Sequence, residues 1–230
     1  RYLASAGTLL YLRTDELAEA WRAAFPEVLP EKIETVPSLE IPGESDVVRT
    51  TSGDQLKLGI IGQVRPGKSL EWLLPLFLEN PDIGVLHVAG AFTNSAHRAG
   101  LPFLDGYPWF DNRFLAEEEM LASAANQHYL IAMYEDWDSR MEAATVFLAA
   151  RVGRPVIVYD EGWPGRVVRA FDCGVVVGRS PRPDKDFFLG LPRPGTIKYQ
   201  QLLDGAARFR EAHGGARNRT LFIDKFLAQR

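Results

Sequence analysis

The stretch Met133–Glu161, MYEDWDSRMEAATVFLAARVGRPVIVYDE, sets the architecture of this chain. It opens at the end of an apolar run, HYLIAMY over residues 128–134, and passes through an acidic turn, Glu135-Asp136-Trp137-Asp138-Ser139. Met141, Thr145, Leu148 and Val152 then recur at helical spacing among alanines, the signature of an amphipathic helix. Gly153 stands where a helix ends, and Pro155 blocks its continuation because proline lacks the N–H that the next turn needs. Val156-Ile157-Val158-Tyr159 reads as a short strand buried on both faces. Strand, turn, helix, turn, strand predicts a parallel sheet with a right-handed crossover. The helix is expected to begin near Ser139, beyond the carboxyl end of a strand, where open α/β sheets bind ligands. Unpaired N–H groups and the helix dipole favour an anion there, most often a phosphate.

The same alternation extends to both sides. Upstream, Leu56–Gly62 is an expected strand, Gln63–Ser69 a turn, and Ser69–Asn80 a helix with Ser69 as N-cap and a bend at Pro75. Ile83–Ala89 is a second buried strand. Residues 91–111 read as irregular, with a short strand near Pro102–Leu104, and Ala116–Ala125 as a helix with an acidic start. Downstream come a helix over Gly165–Phe171, a strand over Gly174–Gly178, and a proline-rich loop over Ser180–Gly195. Terminal helices are expected at Tyr199–His213 and Arg219–Gln229. The fold class is therefore α/β: a Rossmann-like, mainly parallel six-stranded sheet with helices on both faces.

Ahead of this pattern, Thr8–Leu12 and Lys32–Val36 read as short strands around a helix that starts at Thr14-Asp15-Glu16. Pro37–Asp54 is rich in Pro, Gly, Ser and Asp and reads as a linker. Residues 1–54 are thus expected to be a partial N-terminal subdomain plus linker, with Trp21 in an exposed apolar patch, and residues 55–230 a ligand-binding domain. The chain opens on Arg1 with a pattern already under way, which suggests a fragment.

Composition narrows the function classes. The 230 residues are 46% hydrophobic and 24% charged, as in ordinary globular proteins. A formal net charge of −4 argues against nucleic acid as the main partner. The single cysteine, Cys173, excludes an internal disulfide and a cysteine-built metal site. No apolar run reaches spanning length and no secretory signal is visible, so a cytoplasmic location is expected.

Two segments at strand ends carry the chemistry. In Gly62-Gln63-Val64-Arg65-Pro66-Gly67-Lys68, glycines let the backbone approach a ligand. Arg65 offers a planar fork and Lys68 a point charge, a pair that suits a diphosphate; the plainer alternative is a surface turn with two solvated cations. Gly62–Ser69 also matches the G-x-x-x-x-G-K-[ST] pattern of a P-loop. The apolar strands upstream end without the carboxylate such an enzyme needs, but Asp160 follows Tyr159. In the second segment, Asp136 and Asp138 form either a carboxylate pair or a solvated turn. His87, His97, His128 and His213 have no metal-ligand spacing, and no metal site is expected. No G-x-S-x-G elbow is present.

Taken together, these segments resemble the donor-binding C-terminal half of GT-B glycosyltransferases, in particular the retaining family numbered four. That family carries a strand, a G-x-x-x-x-x-K-G turn and a helix; here Gly62–Lys68 fits, with Ser69 in place of the final glycine. It carries an apolar strand ending in Pro-Tyr or similar, here Met133-Tyr134. Its next helix ends in Glu-Ala-x-Ala-x-Gly-x-Pro-Val-Ile; residues 148–157, LAARVGRPVI, fit except at the glutamate. The resemblance covers most of the chain. It implies transfer of a hexose from a nucleotide-diphosphate sugar to an acceptor hydroxyl, with no separate cofactor. It implies donor contacts from Gly62, Gln63, Arg65, Lys68, Tyr134, Ser139, Arg140 and Glu142, the last with the alternative of a first-turn dipole partner. A missing N-terminal domain would supply the acceptor site and any peripheral membrane association. Two glutamates eight residues apart are usual in the family, and Arg140 and Leu148 stand at those positions. A leucine cannot bind a ribose hydroxyl, so a non-catalytic binding or scaffolding domain of the same fold, and a P-loop nucleotide hydrolase, are the alternatives.

Overall fold

Four runs of buried aliphatic residues build the centre of the molecule. A computed structural model describes residues 10–28, 33–35, 55–136, 140–214 and 220. The runs are β3 (Lys57–Ile61), β4 (Val85–Ala89), β6 (Tyr129–Ala132) and β7 (Val156–Tyr159). They are flanked by the two-residue β5 (Phe110–Asp111) and by β8 (Gly174–Val177). All neighbours pair in parallel, in the order β5-β4-β3-β6-β7-β8. The expected six-stranded parallel sheet is thus observed.

Alternation along each strand sends side chains to two separate cores. Leu58, Ile60, Tyr129, Ile131 and Ile157 pack with helix α2 (Leu70–Glu79) on one face. Ile61, Leu130, Ala132, Val156 and Val158 pack on the other with α4 (Glu117–Ala125), α5 (Ala144–Arg151) and α6 (Gly162–Phe171). Coverage on both faces is why these strands read as continuous apolar runs. The chain adds strands outward from β3 to β5, then returns to β6 beside β3. The carboxyl ends of β3 and β6 therefore flank a topological switch point.

Several expected boundaries move. Helix α5 begins at Ala144 with Ala143 as N-cap, not near Ser139, which lies outside the described residues. Glu142 consequently precedes the helix and is not a first-turn dipole partner. Pro102–Leu104 is a 3₁₀ turn rather than a strand: proline at its first positions needs no donor, and Leu104 is buried. Residues 91–111 also hold α3 (Ser95–Ala99), capped by the Asn94 side chain. The proline-rich loop contains α7 (Lys185–Leu189), where Asp184 caps the start and Phe188 enters the core beneath α2. The expected helix at 219–229 and the linker at 37–54 fall largely or wholly outside the described residues.

The N-terminal part is a small β-α-β unit. Strands β1 (Leu10–Leu12) and β2 (Ile33–Thr35) pair in parallel across helix α1 (Asp15–Ala24) around Leu12, Ala18, Val28 and Ile33. Trp21, expected to lie in an exposed patch, is half-buried and stacks on Phe25. Thr14 caps α1 by accepting from the Leu17 N–H, and its hydroxyl donates to the Arg140 carbonyl. With the Glu16–Arg166 ion pair, this ties the unit to the loop before α5 and to α6.

Helix α8 (Ile197–Ala212) closes the domain, with Tyr199 and Leu202 in one core and Ala206 and Phe209 in the other. Gly205 lets it lie against the turn after α6: a Cβ there would stand 2.0 Å from the Asp172 carbonyl oxygen. Gly205→Ala is expected to destabilise the domain by about 1–3 kcal/mol, the range for overpacking a filled interior. Denaturant unfolding checks this, and an unchanged midpoint would show that the helix shifts at no cost.

Candidate functional site

The site grows from the turn after β3. Gly62 (φ 93°) leaves the strand, and its N–H donates to the Ala89 carbonyl at 2.9 Å. Gly90 must lack a side chain, because a Cβ would stand 1.9 Å from the Gly62 oxygen. Val64 is fully buried and bridges to Phe92, which pins the turn to the end of β4. Beyond this anchor the chain projects Arg65, turns through Gly67 (φ 77°), and enters α2 at Ser69.

The segment leaving β6 meets this turn. The Glu135 N–H donates to the Gly67 carbonyl at 2.7 Å. Gly67 (φ 77°) takes a left-handed conformation that favours glycine, and a Cβ there would also meet the Asp136 carboxylate, which would have to swing aside. Arg65 lies 5.5 Å from the centre of the Tyr134 ring and 3.6 Å from Asp136. The Tyr134 hydroxyl shares a 2.7 Å hydrogen bond with Thr145 in the first turn of α5.

Ser69 explains the departure from glycine at the end of the turn. It adopts a left-handed conformation, φ 59°, and its side chain makes no helix cap, contrary to expectation. Instead the fully buried hydroxyl reaches the Met133 carbonyl at 3.0 Å, Glu135 at 3.1 Å and the Tyr159 hydroxyl at 3.2 Å. These bonds offset a conformational cost of roughly 1–2 kcal/mol. They also argue against the P-loop reading, because a P-loop hydroxyl must face a metal-bound phosphate. Asp160, the candidate carboxylate for that reading, pairs with Arg169.

Glu135 gathers donors on the far side of the turn. Burial pushes its carboxyl up, but bonds from Tyr159, Trp72 and Ser69, with Arg182 nearby, outweigh this and hold it below the usual range. Arg179 completes the arrangement. It donates to the Glu135 carbonyl at 2.6 Å and the Tyr134 carbonyl at 3.0 Å, and pairs with Glu161 at 2.7 Å.

These elements enclose a cavity of about 270 Å³ at the switch point, lined by Gly62, Gln63, Arg65, Lys68, Tyr134, Thr145 and Leu148, among others. Lys68 is pushed down to about 8 by burial, then by the neighbouring Arg65. The N-cap residue of α5, Ala143, has no side chain that could cap it, and Ala144 and Thr145 also border the cavity. A larger cavity of about 560 Å³ adjoins it, sharing Gly62, Gln63 and Met120, and is walled by Phe92, Thr93 and the exposed Phe114.

Of the expected site residues, Gly62, Gln63, Arg65, Lys68 and Tyr134 meet in one cavity. Arg140 is exposed and Glu142 buried, and neither lines it. Thr145, Met120 and the Phe92–Phe114 wall were not anticipated, because apolar and hydroxyl residues carry no motif of their own. His87 and His128 sit in half-polar surroundings at strands, as expected: His87 bonds Gln127, and His128 accepts the Lys57 N–H at 3.0 Å.

Replacing Ser69 separates its two effects. Ser69→Ala keeps the backbone cost and strips a donor from Met133 and Glu135, and is expected to destabilise by about 1–3 kcal/mol. Ser69→Gly relieves the cost and should be the more stable of the two. Equilibrium unfolding gives the order, and an alanine variant as stable as the glycine variant would refute it.

No family model and no curated protein matches the sequence. Solved structures do. HepE of Anabaena, solved in complex with UDP-glucose, superposes with a TM-score of 0.70 at 12% identity, covering 96% of this chain and 64% of that one. A glycosyltransferase from Rickettsia africae gives 0.66 at 11% identity, covering 98% and 66%. WaaG, a glycosyltransferase involved in lipopolysaccharide biosynthesis, gives 0.58 at 15% identity, covering 91% and 59%. The chain thus spans about three fifths to two thirds of the length of these structures. These likenesses in fold, all at low identity, give the conclusion that the chain has a GT-B glycosyltransferase fold, its Rossmann-like parallel sheet consistent with one half of it.

Proposed function

We propose that the chain is the donor-binding half of a glycosyltransferase that transfers a hexose from a nucleotide-diphosphate sugar to an acceptor hydroxyl, in polysaccharide or glycoconjugate synthesis. One observation carries the reading. Two cations from the turn after β3 and the first residues of α5 converge on one cavity at the switch point. In this reading Arg65 and Lys68 hold the diphosphate and stabilise the charge that grows on it as the sugar departs. Helix donors at Ala144 and Thr145 add to this. The adjoining cavity accommodates the nucleoside. The structure of HepE with UDP-glucose supports a uridine nucleotide as the first probe.

The acceptor would come from a second half outside this chain, through which any contact with a membrane would run. Among the described residues, no helix is long and apolar enough to cross one. We place the reaction in the cytoplasm, in keeping with the lone, buried Cys173. A second reading, a domain of the same fold that binds without catalysis, is favoured by Leu148. It stands on the cavity wall where the resemblance implies a ribose-binding glutamate. Turnover of a labelled nucleotide sugar by the full-length protein separates the two.

Calorimetric titration with UDP, without magnesium, tests donor binding. Arg65→Ala and Lys68→Ala are each expected to weaken UDP binding by roughly 1.5–3 kcal/mol, the range for bonds to charged groups, and uridine binding far less. Arg65→Lys should recover only part, lacking the planar fork. Full UDP affinity in both alanine variants would overturn the assignment.

The pH dependence follows from Lys68. A bound dianion raises its pKa above the free value of about 8. The Lys68 contribution to affinity is therefore full below pH 8 and falls between that value and the raised one, because binding must then take up a proton. The parent should show this break and Lys68→Ala should lack it. A parent profile flat to pH 10 would place the lysine outside the site.

A further inference from the structure

We infer that Arg179, in the loop after β8, is a positioning residue for the diphosphate site, acting through the backbone of Tyr134 and Glu135. This rests on the donor-binding reading above. Arg179 does not line the cavity. Its guanidinium instead donates to two successive carbonyls of the segment leaving β6, Tyr134 at 3.0 Å and Glu135 at 2.6 Å. The group lies 4.9 Å from the Tyr159 ring centre and is paired with Glu161 at 2.7 Å, so its own orientation is fixed.

The segment it grips holds the phosphate turn on both sides of Lys68. On one side the Glu135 N–H binds the Gly67 carbonyl. On the other, the Met133 carbonyl and the Glu135 carboxylate bind the Ser69 hydroxyl. Tyr134, between these ties, supports Arg65 with its ring and reaches Thr145 of α5 with its hydroxyl. One fork thus fixes the backbone that sets both cations and the adjacent helix start. A lysine at 179 keeps the charge but cannot span two carbonyls in one plane. A surface salt bridge alone would contribute little. The two carbonyls are what make the residue consequential.

The test uses Arg179→Met and Arg179→Lys with two readouts. The first, without ligand, is the titration of the Lys68 amine followed by side-chain NMR. Arg65, Asp136 and Glu135, the charged groups of the described residues that flank Lys68, are unchanged in both variants. If Arg179 sets the turn, its loss loosens the packing around Lys68, and the midpoint climbs from about 8 toward the ordinary 10.5. A rise of about one unit or more is expected in Arg179→Met and a smaller one in Arg179→Lys. The second readout is affinity for UDP and for uridine. UDP binding should fall about tenfold or more in Arg179→Met, with partial recovery in Arg179→Lys, while uridine binding changes by less than about twofold. A folded Arg179→Met protein whose Lys68 midpoint stays near 8, or which loses UDP and uridine affinity alike, overturns the inference. Should the methionine variant not fold, the lysine variant decides by the same two readouts. If the parent itself fails to bind UDP, the donor reading falls, and the ligand-free titration still decides the role of Arg179.

Discussion

The contact between the turn after β3 and the segment leaving β6 is the constraint on which the site depends. It joins the ends of two strands that neighbour each other in space but lie far apart in the chain. A backbone bond from Glu135 to Gly67 forms its centre, with the Ser69 hydroxyl on one flank and Asp136 against Gly67 on the other. Nothing in a parallel sheet requires strand ends to stay together once the ladder stops. The ladder between β3 and β6 covers only two residue pairs, Leu58–Tyr129 and Gly59–Leu130. One further backbone bond and the side chains around it therefore hold what the ladder does not, and they do so where the domain opens to a ligand.

Packing and electrostatics reinforce each other here. Burial alone would penalise Lys68 and Glu135, since removing charge from water is costly. Glu135 is compensated by hydroxyl and indole donors, and its carboxyl stays ionised. Burial and then the repulsion of Arg65 push Lys68 down, and among the described residues no comparable set of partners offsets them. The free site thus carries positive charge at some cost, which an incoming anion relieves.

Much of this was legible in the sequence, and the exceptions share a physical cause. Strands buried on both faces leave continuous runs such as VIVY, and glycines with positive φ leave turns, so the sheet and the position of the Gly62–Ser69 turn could be read directly. The convergence of Arg65 and Lys68 with α5 was legible too, through strand order. The start of α5 was not. Ser139 carries a better cap signal than Ala143, yet the bond from Tyr134 to Thr145 accompanies a helix that starts later. Nor was Arg179, 45 residues beyond Tyr134 in a loop marked only by prolines. Its partners are carbonyl oxygens, which every residue has and no sequence pattern records. Helix α7 was hidden in the same loop, because its single buried anchor, Phe188, gives no periodicity.

The left-handed serine at position 69 has a consequence for how this sequence can change. With glycine there, the backbone is unstrained and nothing is asked of Glu135 or Tyr159. With serine, the hydroxyl needs its oxygen partners, and those partners lie 66 and 90 residues away. Substitutions at the three positions are therefore coupled rather than additive. The Met133 carbonyl accepts from the hydroxyl whatever residue stands at 133, so what serine adds beyond this is a tie to the Glu135 carboxylate and the Tyr159 hydroxyl that glycine cannot make.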